Sequence, residues 1–211
     1  MPPILLMNPN SNAATTRAMV AIAGRVLPDV QGWTAPSGPQ MIVTGPALAT
    51  AADLVAQAAL PVVRGVIVSA FGDPGRAALA GRLDCPVVGI GAAAAAEAGA
   101  GGRRFAVVTT TPGLEAAIDG LMRAEGGAGR YVGCHFATGD AQALMGDPDQ
   151  LDAALLEAIG RAAGAGAEVA IIGGGPLGEA ADRLAGRAPL PLVAPILAAA
   201  SALRARLEEA A

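Results

Sequence analysis

Short, continuous apolar runs alternate with alanine-rich stretches along the chain, and the whole alternation occurs twice. The runs at 4–7, 31–34, 66–69 and 86–90 read as strands, and so do those at 105–108, 131–136, 169–172 and 190–193. The stretches between them read as helices, roughly 13–26, 47–59, 76–83 and 92–98 in the first series. In the second series they fall at 114–125 and 151–163, then a short helix, then a last one running to the C-terminus. Strands without polar alternation have both faces buried, and a helix after each strand supplies the cover. That pattern predicts α/β structure with parallel sheets.

Open parallel sheets bind ligands beyond the carboxyl ends of their strands. The candidate site is therefore the set of loops that follow strands: 8–12, 69–75, 109–113 and 173–178. Ser11 or Asn12 is placed to cap the first helix.

Composition excludes several classes. The net charge is −4 and only 2% of residues are aromatic, so neither a basic tract nor a stacking surface for nucleic acid exists. All 14 basic residues are Arg, which removes a lysine Schiff base and a P-loop lysine. The two cysteines, Cys85 and Cys134, and the single histidine, His135, have no zinc-site spacing, so no metal is expected. Mean hydropathy is +0.49, yet the run 190–203 is broken by Pro191 and Pro195, and 87–96 is too short to span a bilayer. Met1-Pro2-Pro3 has no basic stretch of the signal-peptide kind. A cytoplasmic protein without membrane contact is expected.

Specific residues carry a family likeness. The opening Asn8-Pro9-Asn10-Ser11 resembles the start of hydantoin and allantoin racemases. The segment from Val66 to Gly75, ending Phe71-Gly72-Asp73-Pro74-Gly75, resembles a family strand and turn. So do Pro86-Val87-Val88-Gly89-Ile90-Gly91, Arg104-Phe105-Ala106-Val107-Val108-Thr109-Thr110 with Pro112, and Val169-Ala170-Ile171-Ile172-Gly173-Gly174-Gly175. Together, in order and over nearly the whole chain, they resemble the aspartate/glutamate/hydantoin racemase family.

The resemblance implies two pseudo-symmetric lobes with a ligand cleft between them. Residues 1–95 plus 191–211 would form the first lobe and 96–190 the second. It also implies cofactor-independent chemistry, a homo-oligomer, and a small anionic or ureide ligand. Such racemases move the proton α to a carbonyl between two thiols. Here the first thiol position is Ala70 and the second is Gly174. Asn10, Ser11, Ser69, Ala70, Phe71, Thr109, Thr110, Gly174 and Gly175 are the implied ligand-binding residues.

Asp73 is the carboxylate nearest the missing first thiol; it is a candidate base, and also an ordinary turn residue of an Asp-Pro-Gly sequence. His135 is next to Cys134, but neighbours in a strand point to opposite faces. Glu97 and Glu179 read as solvated helix residues, Glu179 being the better placed for the site. Gly173, Gly175 and Gly178 spell G-x-G-x-x-G, yet Pro176 intrudes and no acidic residue ends the next strand. Three readings remain open. One is a family enzyme working on a small carboxylate, amino acid derivative or cyclic ureide without two thiols, as a hydrolase or lyase for instance. Another is a non-catalytic protein that binds a small anion. The third is a nucleotide-binding oxidoreductase.

Overall fold

The computed structural model describes residues 1–210. Its first series is β1 (Ile4–Asn8), α1 (Ala13–Ala23), β2 (Val30–Thr34), α2 (Gly45–Gln57), β3 (Gly65–Val68), α3 (Arg76–Ala80), β4 (Val87–Gly89) and α4 (Ile90–Gly99). The second is β5 (Arg104–Thr109), α5 (Glu115–Glu125), β6 (Arg130–Phe136), α6 (Ala141–Met145), α7 (Pro148–Gly164), β7 (Val169–Ile172), α8 (Gly178–Leu184), β8 (Leu192–Val193) and α9 (Pro195–Glu209).

Each series forms a four-stranded, all-parallel sheet. The strand orders are β2-β1-β3-β4 and β6-β5-β7-β8, so the second sheet repeats the first. In both, the chain leaves the first strand to one side and returns to the other. The order therefore reverses between β1 and β3, and again between β5 and β7. A crevice opens beyond the carboxyl ends of strands at such a reversal, because the two following connections diverge to opposite faces.

Alternate side chains of the strands go to different cores. Ile4, Leu6 and Ile67 from the first sheet join Phe105, Val107, Val169 and Ile171 from the second in one cluster between the sheets. Residues of α1, α4, α5 and α9 complete it. The opposite faces carry separate clusters, with Leu5, Met7, Val66 and Val68 in one and Ala106, Val108, Ala170 and Ile172 in the other. After β8 the chain crosses back, and α9 packs on α1, α4, β3 and β4.

The α/β fold expected from the pattern is the fold observed. One local reading changes: the first helix stops at Ala23, with Gly24 as its C-cap, short of residue 26. The segment after β6, to which the pattern assigns no element, holds α6, capped by Asp140 accepting from the Ala143 N–H. Among the described residues, no helix is long and apolar enough to cross a membrane.

Candidate functional site

The site begins with three asparagines, Asn8 at the end of β1 and Asn10 and Asn12 just after it. Asn8 is fully buried, and its Nδ2 donates to Asn10 Oδ1, Asn12 O and Thr16 Oγ1 at 2.9–3.1 Å. Its Oδ1 accepts from the Asn10 N–H, which fixes the orientation of the Asn8 amide. Asn10 Oδ1 likewise accepts from the Asn12 N–H at 2.9 Å. A backbone donor can face only the oxygen of an amide, so Asn10 must turn its Nδ2 the other way. That group has no acceptor among the described residues, and Asn10 lines a cavity. Asn12, not Ser11, caps α1, accepting from Ala14 N and Thr15 N. Ser11 donates to Gly38 O and pairs through its own N–H with Pro39 O. It anchors the segment after β2 and lies outside the cavity lining.

The loop after β3 contributes Ser69, Ala70 and Phe71 to the same cavity. Ser69 Oγ donates to Met7 O at 2.7 Å, so only its lone pairs remain for a ligand. From β5 come Thr109, Thr110 and Thr111, and from the loop after β7 come Gly173, Gly174 and Gly175. These four loops are the ones beyond the two strand-order reversals.

The loops of the two lobes touch. A Cβ at Gly173 would lie 2.8 Å from Val107 and 3.1 Å from the Phe71 ring, and one at Gly175 would lie 3.0 Å from Ser69 O. Gly178 is hemmed in by Ile22. The G-x-G-x-x-G spacing therefore has a packing cause, close approach between lobes, that needs no dinucleotide. Gly174 sits at φ 136° and ψ 132°, a conformation that side chains with a Cβ rarely adopt.

The cavity is small, ≈ 50 Å³, enough for roughly three or four waters. None of its fourteen lining residues ionises: they are Asn, Ser, Thr, Gly and apolar side chains. Most of the lining is apolar, and hydrogen-bond donors are among its few polar groups. Beside Asn10 Nδ2, the backbone N–H groups of Ala70, Phe71, Thr110, Gly174 and Gly175 meet no acceptor within the chain among the described residues. Such a donor surround suits an oxyanion or a ureide carbonyl.

Asp73 is not brought into this cavity. Its carboxylate is buried behind the loop, accepting from Gly91 N and Ala92 N at 2.8 Å each. Both oxygens are thus committed to the first turn of α4. Gly89 and Gly91 leave the room; a Cβ at Gly89 would overlap the carboxylate. Burial pushes its pKa up to about 6, against the lowering pull of those two N–H groups and of Arg76. The geometry is that of a latch, tying the Asp-Pro-Gly turn to the Gly89-Ile90-Gly91 segment, and gives no route for a catalytic base.

The remaining candidates lie elsewhere. Cys85, half-buried, packs at the edge of the first sheet's outer cluster. Cys134 points to Tyr131, 3.0 Å from its hydroxyl, and burial pushes its thiol up to about 12. His135 faces the opposite side; burial first, then Arg161, lowers its pKa. Glu97 and Glu179 are exposed and outside the cavity. Among the described residues no three His, Cys, Asp or Glu cluster as metal ligands.

Of the residues that the sequence singled out for the site, Asn10, Ser69, Ala70, Phe71, Thr109, Thr110, Gly174 and Gly175 all line this one cavity. Sequence reasoning missed Met41 and Ile42, which close the cavity from the irregular segment after β2, and Leu114. The available signal was topological: β2 also ends at the carboxyl edge of its sheet, so its following loop borders the same crevice.

Comparison with known proteins bears on what this cavity belongs to. A family model described as Asp/Glu/Hydantoin racemase matches residues 4–203. The chain belongs to that racemase family. Similar solved structures include an allantoin racemase from Pseudomonas fluorescens, at TM-score 0.89 and 25% identity over 99% of this chain and 92% of that one. Another is the allantoin racemase from Klebsiella pneumoniae, at TM-score 0.84 and 24% identity over 100% and 89% of the two chains. An arylmalonate decarboxylase follows at TM-score 0.64 and 19% identity over 100% and 94%. No curated protein matches the chain in sequence. Within the family frame, Ala70 and Gly174 are the two positions at which the resemblance expects thiols, and both line the one cavity.

Proposed function

We propose that this racemase-family chain binds a small carboxylate or cyclic ureide in the cleft without exchanging the proton at its stereocentre. One observation carries the reading: the lining keeps a few donors, Asn10 among them, and contains no group that titrates. Two-base racemisation needs an acid and a base on opposite sides of the substrate carbon. Ala70 and Gly174 supply neither. The neutral Asn10 amide and the loop N–H groups can still hold a carboxylate or imide oxygen.

The same donors support a second reading. They would stabilise an enolate, so loss of CO₂ from a malonate-type acid, with water returning the proton, uses only parts the cleft retains. We read the ligand-bearing unit as two lobes, 1–95 with 191–211 and 96–190, with β8 paired to the second sheet. The return of α9 to β3 and β4 supports assigning the C-terminal helix to the first lobe, whereas the pairing of β8 with β7 puts Leu192 and Val193 with the second. By family resemblance we read the chain as a cytoplasmic homo-oligomer.

The test combines binding calorimetry with proton exchange at Cα in D₂O, followed by NMR. The panel holds allantoin, 5-substituted hydantoins, aspartate, glutamate and methylmalonate. Binding of at least one compound, without exchange above the protein-free rate, is the expected result. Asn10→Asp sharpens it: both donors that point at Oδ1 stay satisfied, while the cavity gains an acceptor in place of Nδ2. Affinity should then fall at least about tenfold, one charge-assisted hydrogen bond's worth. Cα exchange that Asn10→Asp abolishes would overturn the silent-binding reading; CO₂ release from methylmalonate would establish the second.

A further inference from the structure

The inner cavity holds only a few heavy atoms, yet it is not isolated. A second cavity of ≈ 680 Å³ shares Met41, Thr110 and Thr111 with it. Those three residues form the sill between the chambers. The outer walls come from the segment after β2, through Gln40, and from the start of α6, through Asp140 and Gln142. Asp140 is the one ionisable side chain in this lining, and no Arg reaches it. Its Oδ1 accepts from the Ala143 N–H, and its Oδ2 has no partner among the described residues.

The two chambers therefore differ in the ligand groups they complement. The inner one offers donors and no charge. The outer one offers amide groups and a carboxylate. We propose that the outer cavity is a subsite for the tail of the ligand, and that Asp140 and Gln142 select a tail ending in an amine or similar cationic donor. The proposal rests on the reading that the ligand's carboxylate or ureide head occupies the inner chamber. The small inner volume supports the division of labour: a ligand much larger than its head must cross the sill. Met41 suits that crossing, because an unbranched thioether side chain adjusts to the shape passing it.

Matched pairs test the idea. Alkanoates of increasing length are compared with their ω-amino analogues, and 5-butylhydantoin with 5-(4-aminobutyl)hydantoin, by calorimetry on the wild-type protein and on Asp140→Asn. The Asn keeps an oxygen for the Ala143 N–H, so α6 stays capped. The aminated member of a pair should bind roughly fivefold more tightly to the wild type, as a solvent-accessible ion pair allows. That advantage should shrink with added salt and vanish in Asp140→Asn, while the uncharged-tail member binds both proteins equally. Equal affinities on the wild type, or an advantage that survives Asp140→Asn, would overturn the tail subsite. Acetate and unsubstituted hydantoin separate the two layers. If either of these binds and amines confer nothing, the inner chamber stands and the subsite falls. If no compound binds at all, both fall.

Discussion

The two lobes share a strand order and a crevice, but they hold their site loops by different means. In the first lobe, buried side chains do it. Asn8, Asn10, Asn12 and Thr16 form a closed lattice, extended to Thr34 by the 2.7 Å contact between Thr16 and Thr34 hydroxyls. Asp73 then latches the following loop to α4. In the second lobe the backbone does most of the work. Gly173 and Gly175 pass through gaps too narrow for a Cβ, and Gly174 takes a glycine conformation. The side-chain bond nearest the cavity there is a single 3.2 Å contact between Thr109 and Thr111. The stronger tie, Arg183 bidentate to buried Asp152, lies farther out between α8 and α7. The first lobe thus specifies polarity through a side-chain amide, and the second through peptide groups whose path is fixed by the absence of side chains.

Breaking the first lobe's lattice should give the largest effect. Asn8→Ala removes three donated bonds and strands the buried Asn10 N–H, a loss of about 4 kcal/mol by the usual cost of orphaned buried groups. Thr109→Val, its counterpart in the second lobe, should cost under about 1 kcal/mol, because it removes one long hydroxyl contact. Urea unfolding of the two variants measures both. Similar losses would mean that the lobes are held alike and would break the comparison.

Asp73 sets the next effect, through pH. Its pKa is 3.8 when unfolded and is raised to about 6 in the fold, chiefly by burial. The folded state therefore keeps a proton that the unfolded chain has released. The associated stability is fully present below 3.8 and is lost as pH rises through about 6. The difference amounts to about 3 kcal/mol across that window. Asp73→Asn should lack this slope, whatever its absolute stability, since an amide does not titrate. Parallel pH profiles for wild type and variant would show instead that Arg76 and the two α4 N–H groups fully compensate the burial of the charge.

This asymmetry also explains what could be read without coordinates. Continuous apolar strands such as residues 66–69 and 169–172 disclosed parallel sheets, and the rule about carboxyl ends then placed Asn10, Ser69, Thr110 and Gly174 at one site. Asp73 was the opposite case. Its neighbourhood in sequence pointed to the site, but its function as a latch depends on Gly89 and Gly91, sixteen and more residues away, which leave space for a carboxylate. Ser11 turned on a contact with Gly38 that no local pattern encodes. Met41 and Ile42 come from an irregular segment with neither period nor motif. What was legible depended on periodicity and topology; what was hidden depended on contacts between segments far apart in the chain.

The smallest effects test Ala70 and Gly174, the two positions at which the resemblance expects thiols. Gly174→Cys forces a Cβ into a conformation favourable only to glycine, which should cost about 2 kcal/mol. Ala70 has no such restriction, because it is absent from the positive-φ residues and is only half-buried. Ala70→Cys should change stability by no more than about 0.5 kcal/mol, the range of substitutions without a specific clash. Its thiol should also react with a small alkylating reagent, and a carboxylate or hydantoin bound in the cleft should slow that reaction. Unfolding midpoints and the alkylation rate with and without ligand supply the measurements. Equal costs at the two positions would deny that the second loop has settled into a glycine-only path. An unreactive Cys at 70 would mean that the first loop, too, no longer presents a side chain to the ligand. The expected outcome, tolerance on one side and strain on the other, means that a single substitution at position 70 can place a thiol in the cleft, whereas position 174 needs its loop rebuilt first.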